Sequence, residues 1–248
     1  MVGAWYPLPE LTTEEQKELP NADRVAAIVV AAGASTRMEG VDKTIVELAG
    51  MPVIARTIDV FERCDAVGAI VLVVAQVILN DVAEIARVRQ WKKVLHVRIG
   101  GSRRQDSVRI GLRGLPEGDW VIVHDGARPL VTDKMIRAGL IAAQATGAAT
   151  AAIPSTDTVK KVSDDGIVTE TLNRRSIALV QTPQVFRRDL LQDAHSNISG
   201  DVTDDAAMVE QRGAHVQVFV GGPSNIKITT PDDLVVAEAL LAARETSP

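Results

Sequence analysis

Short aliphatic runs alternate with segments of helical spacing along most of this chain. Residues 24–32 (R-V-A-A-I-V-V-A-A), 67–75, 94–99, 120–124 and 148–153 are apolar and mostly β-branched or Ala-rich, which predicts buried strands. Residues 52–63, 79–90, 102–114 and 133–147 between them have the spacing of helices, with Pro52 suited to a first turn that needs no N–H. Strands separated by helices, with no hairpin turn between them, predict an α/β chain with a mostly parallel, doubly wound sheet. Ligands of such sheets bind beyond the carboxyl ends of the strands. The loops after Ala32, Ile99 and His124 share that edge and are expected to meet in one site.

The alternation breaks at residues 154–182. T-V-K-K-V, S-D-D-G and I-V-T-E-T-L have a period of two and a turn signal at Asp165-Gly166, which predicts a β-arm standing off the sheet. An isolated hairpin buries too little to be stable, so the arm is expected to pack on a partner. Helices over 187–195 and 204–212, a strand over 215–220 and a closing helix over 231–243 complete the pattern. Residues 1–23 form an extension, and residues 24–248 form one domain that includes the arm.

Hydrophobic residues make up 46% of the chain but aromatics only 3%, so the core must be built from Ala, Val, Ile and Leu. A net charge of −5 argues against a nucleic-acid binder, which needs a broad basic face, but leaves room for a few converging cations around one nucleotide. The single cysteine, Cys64, excludes an internal disulfide framework and fits a reducing compartment. No run of about 18 apolar residues is present, and the N-terminus lacks a basic start and an apolar core. A cytoplasmic protein with no membrane partner is expected.

Two segments carry candidate chemistry. In Ala31-Ala32-Gly33-Ala34-Ser35-Thr36-Arg37-Met38, small residues let backbone N–H groups approach an anion, while Arg37 and Lys43 add positive charge. The spacing is neither that of a P-loop nor that of a dinucleotide fingerprint. In His124-Asp125-Gly126-Ala127-Arg128-Pro129, the Asp can hold Mg²⁺ against phosphate oxygens and the Arg can direct hydrogen bonds to a ligand. An Asp–Arg pair that merely orders the turn is the competing reading. His124 reads as a satisfied neighbour rather than a ligand. Arg104 has two readings, pairing near a nucleotide or solvation on a helix face. His195 and His215 are given no role.

A-A-G-A-S-T-R-M, G-G-S-R-R-Q-D-S-V, V-H-D-G-A-R-P, D-T-V-K, Q-T-P-Q-V-F, T-D-D-A and N-I-K-I-T occur in that order. Over residues 24–242 the chain thereby resembles the 2-C-methyl-D-erythritol 4-phosphate cytidylyltransferases. The resemblance implies a Rossmann-like sheet with helices on both faces and a protruding arm that builds a homodimer. It implies transfer of a cytidylyl group from CTP to 2-C-methyl-D-erythritol 4-phosphate, with Mg²⁺ or another divalent cation as cofactor. By resemblance, Ala31, Ala32, Gly33, Gly101 and Ser107 bind the nucleotide. Arg37, Lys43 and Lys227 are the catalytic cations, and Asp125 holds the metal. Asp125, Arg128 and Thr203 face the polyol, while Thr158, Arg174 and Thr182 reach the substrate phosphate of a neighbouring subunit. Two departures stand out. Asp42 precedes Lys43 where the family has proline, which predicts a looser loop, and Gly126 replaces an alanine. A D-ribitol 5-phosphate cytidylyltransferase is the alternative reading, a silent nucleotide-binding module a more distant one. The length is expected to hold the transferase without a fused cyclase.

Overall fold

The computed structural model describes residue 12 and residues 19–33, 42–198 and 200–246. Its first strand, β1 (Val25–Ala31), is buried at every position. Alternate side chains point to opposite faces, as the pleat dictates. Val25, Ala27, Val29 and Ala31 join one apolar cluster, and Ala26, Ile28 and Val30 join the other. A strand with two apolar faces must lie inside a sheet covered on both sides.

After β1 come a short hairpin, β2 (Glu47–Leu48) and β3 (Met51–Pro52), and helix α1 (Val53–Arg63). The chain continues through β4 (Ala69–Val74), α2 (Leu79–Arg89), β5 (Val94–Ile99), α3 (Arg104–Leu112), β6 (Trp120–Asp125), α4 (Asp133–Thr146) and β7 (Ala148–Pro154). The arm hairpin is β8 (Lys160–Val162) with β9 (Val168–Thr171). It is followed by β10 (Ala178–Arg187), α5 (Arg188–Asn197), α6 (Asp205–Gln211), β11 (Gln217–Val220) and α7 (Pro231–Thr246).

Among the described residues the main sheet has the order β11-β7-β10-β6-β1-β4-β5. Its strands are parallel except β10, which runs antiparallel to both β6 and β7. Ile54, Ile58 and Phe61 of α1, Val82 of α2 and Leu140 of α4 cover one face. Val108 of α3, Leu191 of α5 and Met208 of α6 cover the other. A smaller cluster of Leu48, Val53, Leu130, Ile228 and Ala237 ties α7 and the loop before it to the β2–β3 hairpin, the start of α1 and the loop after β6.

The expected elements are present within a few residues of their bounds, with two corrections. The sequence pattern assigns residues 178–182 to the arm and gives 183–186 no regular structure, yet β10 lies between β6 and β7. Its Ala178–Val180 segment pairs with β7, so the arm is shorter than residues 154–182. The cause is Pro183. A proline argues against a central strand because it donates no ladder bond, but here the β6–β10 ladder stops at Val123 and Gln184, just short of it. The β2–β3 hairpin is not signalled by the sequence either, since its strands are too short to show a period.

Candidate active site

The site forms where β1, β5 and β6 end. Gly100 makes the approach of two of these loops possible, because a Cβ there would lie 2.2 Å from the Ala32 side chain and 2.7 Å from Ser107 Oγ. The Gly101 N–H donates to Ser107 Oγ at 3.1 Å, and the hydroxyl donates to the Arg103 carbonyl at 3.3 Å. Ser107 is thereby a buried brace of the loop before α3. Ala31, Ala32, Gly33, Gly101 and Ser107 line one cleft together with Lys43. Arg37 lies outside the described residues.

Asp42 does not loosen the turn that carries Lys43. Its carboxylate accepts from the Thr44 N–H at 2.9 Å and the Thr44 hydroxyl at 2.6 Å, and its carbonyl accepts from Ile45 N–H at 3.1 Å. An aspartate that binds the backbone two residues on makes a turn of its own, which compensates for the missing proline. Gly126 has a positive function as well. A Cβ there would sit 3.0 Å from that of Ala31, so glycine lets the β6 loop close against the end of β1.

Asp125 is the electrostatic centre. Lys227 Nζ is 2.8 Å from its Oδ2, Arg104 Nε is 3.3 Å from its Oδ1, and Arg128 Nε lies 3.6 Å from Oδ2. Burial by itself pushes this carboxyl up, but Arg104, Lys227 and Arg128 outweigh it and hold its pKa well below the usual range. Burial also opposes the charge on Arg104, and Asp205 and Asp125 overcome that penalty. Arg128 is pulled down by burial, with Asp125 offsetting part of the effect. Three cations around Asp125, with Asp205 balancing only Arg104, leave a local excess of positive charge. Arg104 Nη2 and Arg128 Nε are buried without a hydrogen-bond partner. Such donors are costly unless a ligand takes them.

The Nη1 of Arg104 also binds Asp205, whose other oxygen is 2.9 Å from His195 Nε2. This settles the two readings of Arg104 in favour of pairing at the site. It also gives His195 and Asp205 places that no spacing in the sequence signalled, since a contact between α3, α5 and α6 spans up to 101 residues.

A second cleft shares Arg104, Asp125 and Lys227 with the first and extends to Arg128, Thr182 and Thr203. Lys227 reaches this point because its loop is docked. Ile228 N–H donates to the Ala127 carbonyl and Arg128 Nη1 to the Asn225 carbonyl, both at 2.8 Å. Thr182 requires a correction. It lies in β10, is buried, and its hydroxyl accepts from the Asp125 N–H of its own chain at 3.0 Å, so it is a fixture of this site and not of the arm. Thr158 and Arg174 are exposed and line neither cleft, and Arg174 Nη1 binds the Thr156 carbonyl.

Among the described residues no group of three or more His, Cys, Asp or Glu side chains could hold a metal ion. The donor set therefore does not fit an all-protein cage. A single carboxylate does fit Mg²⁺ that arrives with a polyphosphate and keeps waters as its other ligands. No helix of the described residues is long and apolar enough to cross a membrane. Cys64 is buried at the end of α1, and burial with a hydrogen bond to Asp133 pushes its thiol up to about 12, which makes it an unreactive packing residue.

The family model described as 2-C-methyl-D-erythritol 4-phosphate cytidylyltransferase matches residues 25–243. A protein of that name from Dehalococcoides mccartyi strain CBDB1 is 46% identical over 219 residues, 88% of this chain and 96% of the relative. Another from Pelotomaculum thermopropionicum is 46% identical over 233 residues, 90% of this chain and 96% of the relative. The crystal structure of 4-diphosphocytidyl-2C-methyl-D-erythritol synthase from Anaerococcus prevotii superposes with a TM-score of 0.78 at 31% identity, covering 88% of this chain and 98% of that one. A 2-C-methyl-D-erythritol 4-phosphate cytidylyltransferase from Thermus thermophilus gives 0.72 at 29% identity, with 88% and 99% covered.

Proposed function

The chain belongs to the 2-C-methyl-D-erythritol 4-phosphate cytidylyltransferase family, and on that premise we propose how its two clefts divide the reaction. The enzyme transfers a cytidylyl group from CTP to 2-C-methyl-D-erythritol 4-phosphate in isoprenoid precursor synthesis. The cleft of Ala31, Ala32, Gly33, Gly101 and Ser107 takes the cytidine, and Arg37 and Lys43 grip the triphosphate. The cleft of Arg128, Thr182 and Thr203 takes the polyol phosphate. The reacting phosphorus lies between them, at the residues both clefts share. The observation that carries this reading is the cluster of Arg104, Arg128 and Lys227 around a single carboxylate, at the junction of the two clefts.

In the reaction a phosphate oxygen of the polyol forms a bond to the α-phosphorus of CTP. The bond from that phosphorus to the bridging oxygen breaks, and pyrophosphate leaves with its electrons. The nucleophile is already an anion, so no general base is needed. The barrier is the approach of one anion to another, and it is lowered by position and by fixed positive charge. Lys43 and Lys227 supply that charge, while Arg104 and Arg128 offer their unpaired donors. Asp125 would hold Mg²⁺ carried in by the triphosphate, and the ion would neutralise phosphate charge there.

The relatives' names favour methylerythritol phosphate over D-ribitol 5-phosphate as acceptor. Mg²⁺-dependent pyrophosphate release from CTP, with the two polyol phosphates offered in parallel, tests this. Strong preference for methylerythritol phosphate is expected. Preference for ribitol phosphate would overturn the acceptor assignment, and no release with either would overturn the reaction.

We further propose a cytoplasmic homodimer built through the arm. Val162, Ile167 and Val168 on the β8–β9 hairpin and Leu179 at its foot are apolar and exposed, as expected of a surface awaiting a partner. Thr158 and Arg174 lie at the base of the same hairpin, where they could serve a neighbour's substrate phosphate. Val168→Asp is expected to shift the sedimenting species from dimer to monomer. A wild-type chain that sediments as a monomer at micromolar concentration would refute the arrangement.

A further inference from the structure

His124 is fully buried at the end of β6, with its ring centroid 5.2 Å from that of Phe61. Burial drives its pKa down to about 3, only partly opposed by Asp125 and the Arg128 carbonyl, so the ring is neutral. Both ring nitrogens have partners. Nδ1 is 3.0 Å from Thr182 Oγ1, and Nε2 is 3.3 Å from the Arg128 carbonyl oxygen.

The ends of this chain of contacts set its direction. The Asp125 N–H can only donate, and it gives its hydrogen to Thr182 Oγ1. The Arg128 carbonyl can only accept. Between them the Thr182 hydroxyl donates to Nδ1, and the Nε2–H donates to Arg128. The Arg128 N–H returns to the Asp125 carbonyl at 3.0 Å, which closes the circuit across the Asp125–Arg128 turn. Thr182 is in turn held by Asn225, whose Nδ2 donates to the Thr182 carbonyl at 2.8 Å.

We propose that His124 is a positioning residue for the acceptor half of the reaction, its ring tying both ends of the turn that carries Asp125 and Arg128 to Thr182 of β10. The assignment rests on the reading of Asp125 and Arg128 as groups that face the acceptor. An aliphatic side chain would satisfy the packing of this position. It would leave the Thr182 hydroxyl without an acceptor and cut the turn loose from β10. The Arg128 carbonyl would suffer less, since the Val131 N–H approaches it at 3.4 Å. Of the nucleotide cleft only Asp125 and Ala127 belong to this turn, and Ala31, Ala32, Gly33, Gly101 and Ser107, which take the cytidine, make none of these bonds. Loss of His124 should therefore act on turnover and on the acceptor, and spare CTP.

Two measurements test the relay in the full-length protein. In the nitrogen-15 spectrum of the imidazoles, the resonances lost in His124→Leu should show an unprotonated Nδ1 and a protonated Nε2. A proton on Nδ1 would reverse the chain and overturn the proposal. In steady-state kinetics, His124→Leu should lower kcat by about tenfold or more, the scale of a mispositioned reacting group, with the Michaelis constant for CTP nearly unchanged. His124→Asn, whose Oδ1 can accept from Thr182, should regain part of the loss. Unchanged turnover in the Leu variant, or a loss shared equally by CTP binding, would overturn it. If the Leu variant does not fold, His124→Asn identifies the resonances and supplies the kinetics, and an Asn variant with wild-type kcat and acceptor constants would overturn the proposal. Turnover of methylerythritol phosphate by the wild-type enzyme separates failure of this inference from failure of the function itself.

Discussion

Lys227→Ala is expected to lower kcat by about 10²- to 10³-fold, the range found when one preorganised charge-stabilising group is removed, while the Michaelis constant for CTP changes far less. The lysine sits 2.8 Å from Asp125 Oδ2, at the point common to both clefts. Its loop is fixed by the Ile228–Ala127 hydrogen bond and by burial of Ile228 in the cluster under α7. A cation held in this way costs nothing to reorganise as charge develops on the transferring phosphate. An interaction of that kind appears in kcat rather than in ground-state binding. Lys43→Ala should behave in the same direction. Pyrophosphate release under saturating CTP is the measurement, and turnover equal to wild type in either variant would remove that lysine from the catalytic set.

Asp125→Asn should have the second largest effect, and on two quantities at once. The amide keeps the shape but removes the charge that Arg104, Arg128 and Lys227 share. Taking one partner from a buried ion cluster costs about 3–5 kcal/mol because the remaining charges are left uncompensated. A marked fall in melting temperature is therefore expected. Turnover should fall by about 10²-fold or more as the cations lose their alignment and a metal-bearing triphosphate loses its carboxylate.

The same balance predicts the acid limit of the fold. Because the folded pKa of Asp125 is depressed, its contribution is fully present above the unfolded value of about 3.9. It is lost as pH falls from there toward the folded pKa. Melting temperature in the wild type should drop below about pH 4 more steeply than in Asp125→Asn. Parallel acid profiles for the two proteins would show that Asp125 is not the group responsible.

Most of the fold was legible because each central strand carries apolar residues on both faces. Val25–Ala31 can be satisfied only inside a covered sheet, and the helices between such strands leave few topologies. Part of the first cleft was equally legible, since Ala31, Ala32, Gly33 and Lys43, which line it, lie in the A-A-G-A-S-T-R-M segment or close after it. That segment also includes Arg37, which lies outside the described residues.

What the sequence by itself determined was the local chemistry: which segments form most of the strands, where small residues line a cleft, and which seven motifs place the chain in its family. The tertiary structure decided the rest. It placed β10 between β6 and β7 despite Pro183, moved Thr182 from the arm to the foot of Asp125, and paired Arg104 with Asp205 and His195. It also turned Asp42 into the brace of the Lys43 turn. The physical reason is common to these cases. Buried polar groups must find partners, but which partner they find depends on distances between elements far apart in the chain. Local periodicity carries no record of that distance, so these contacts became visible only once the sheet had brought the loops together.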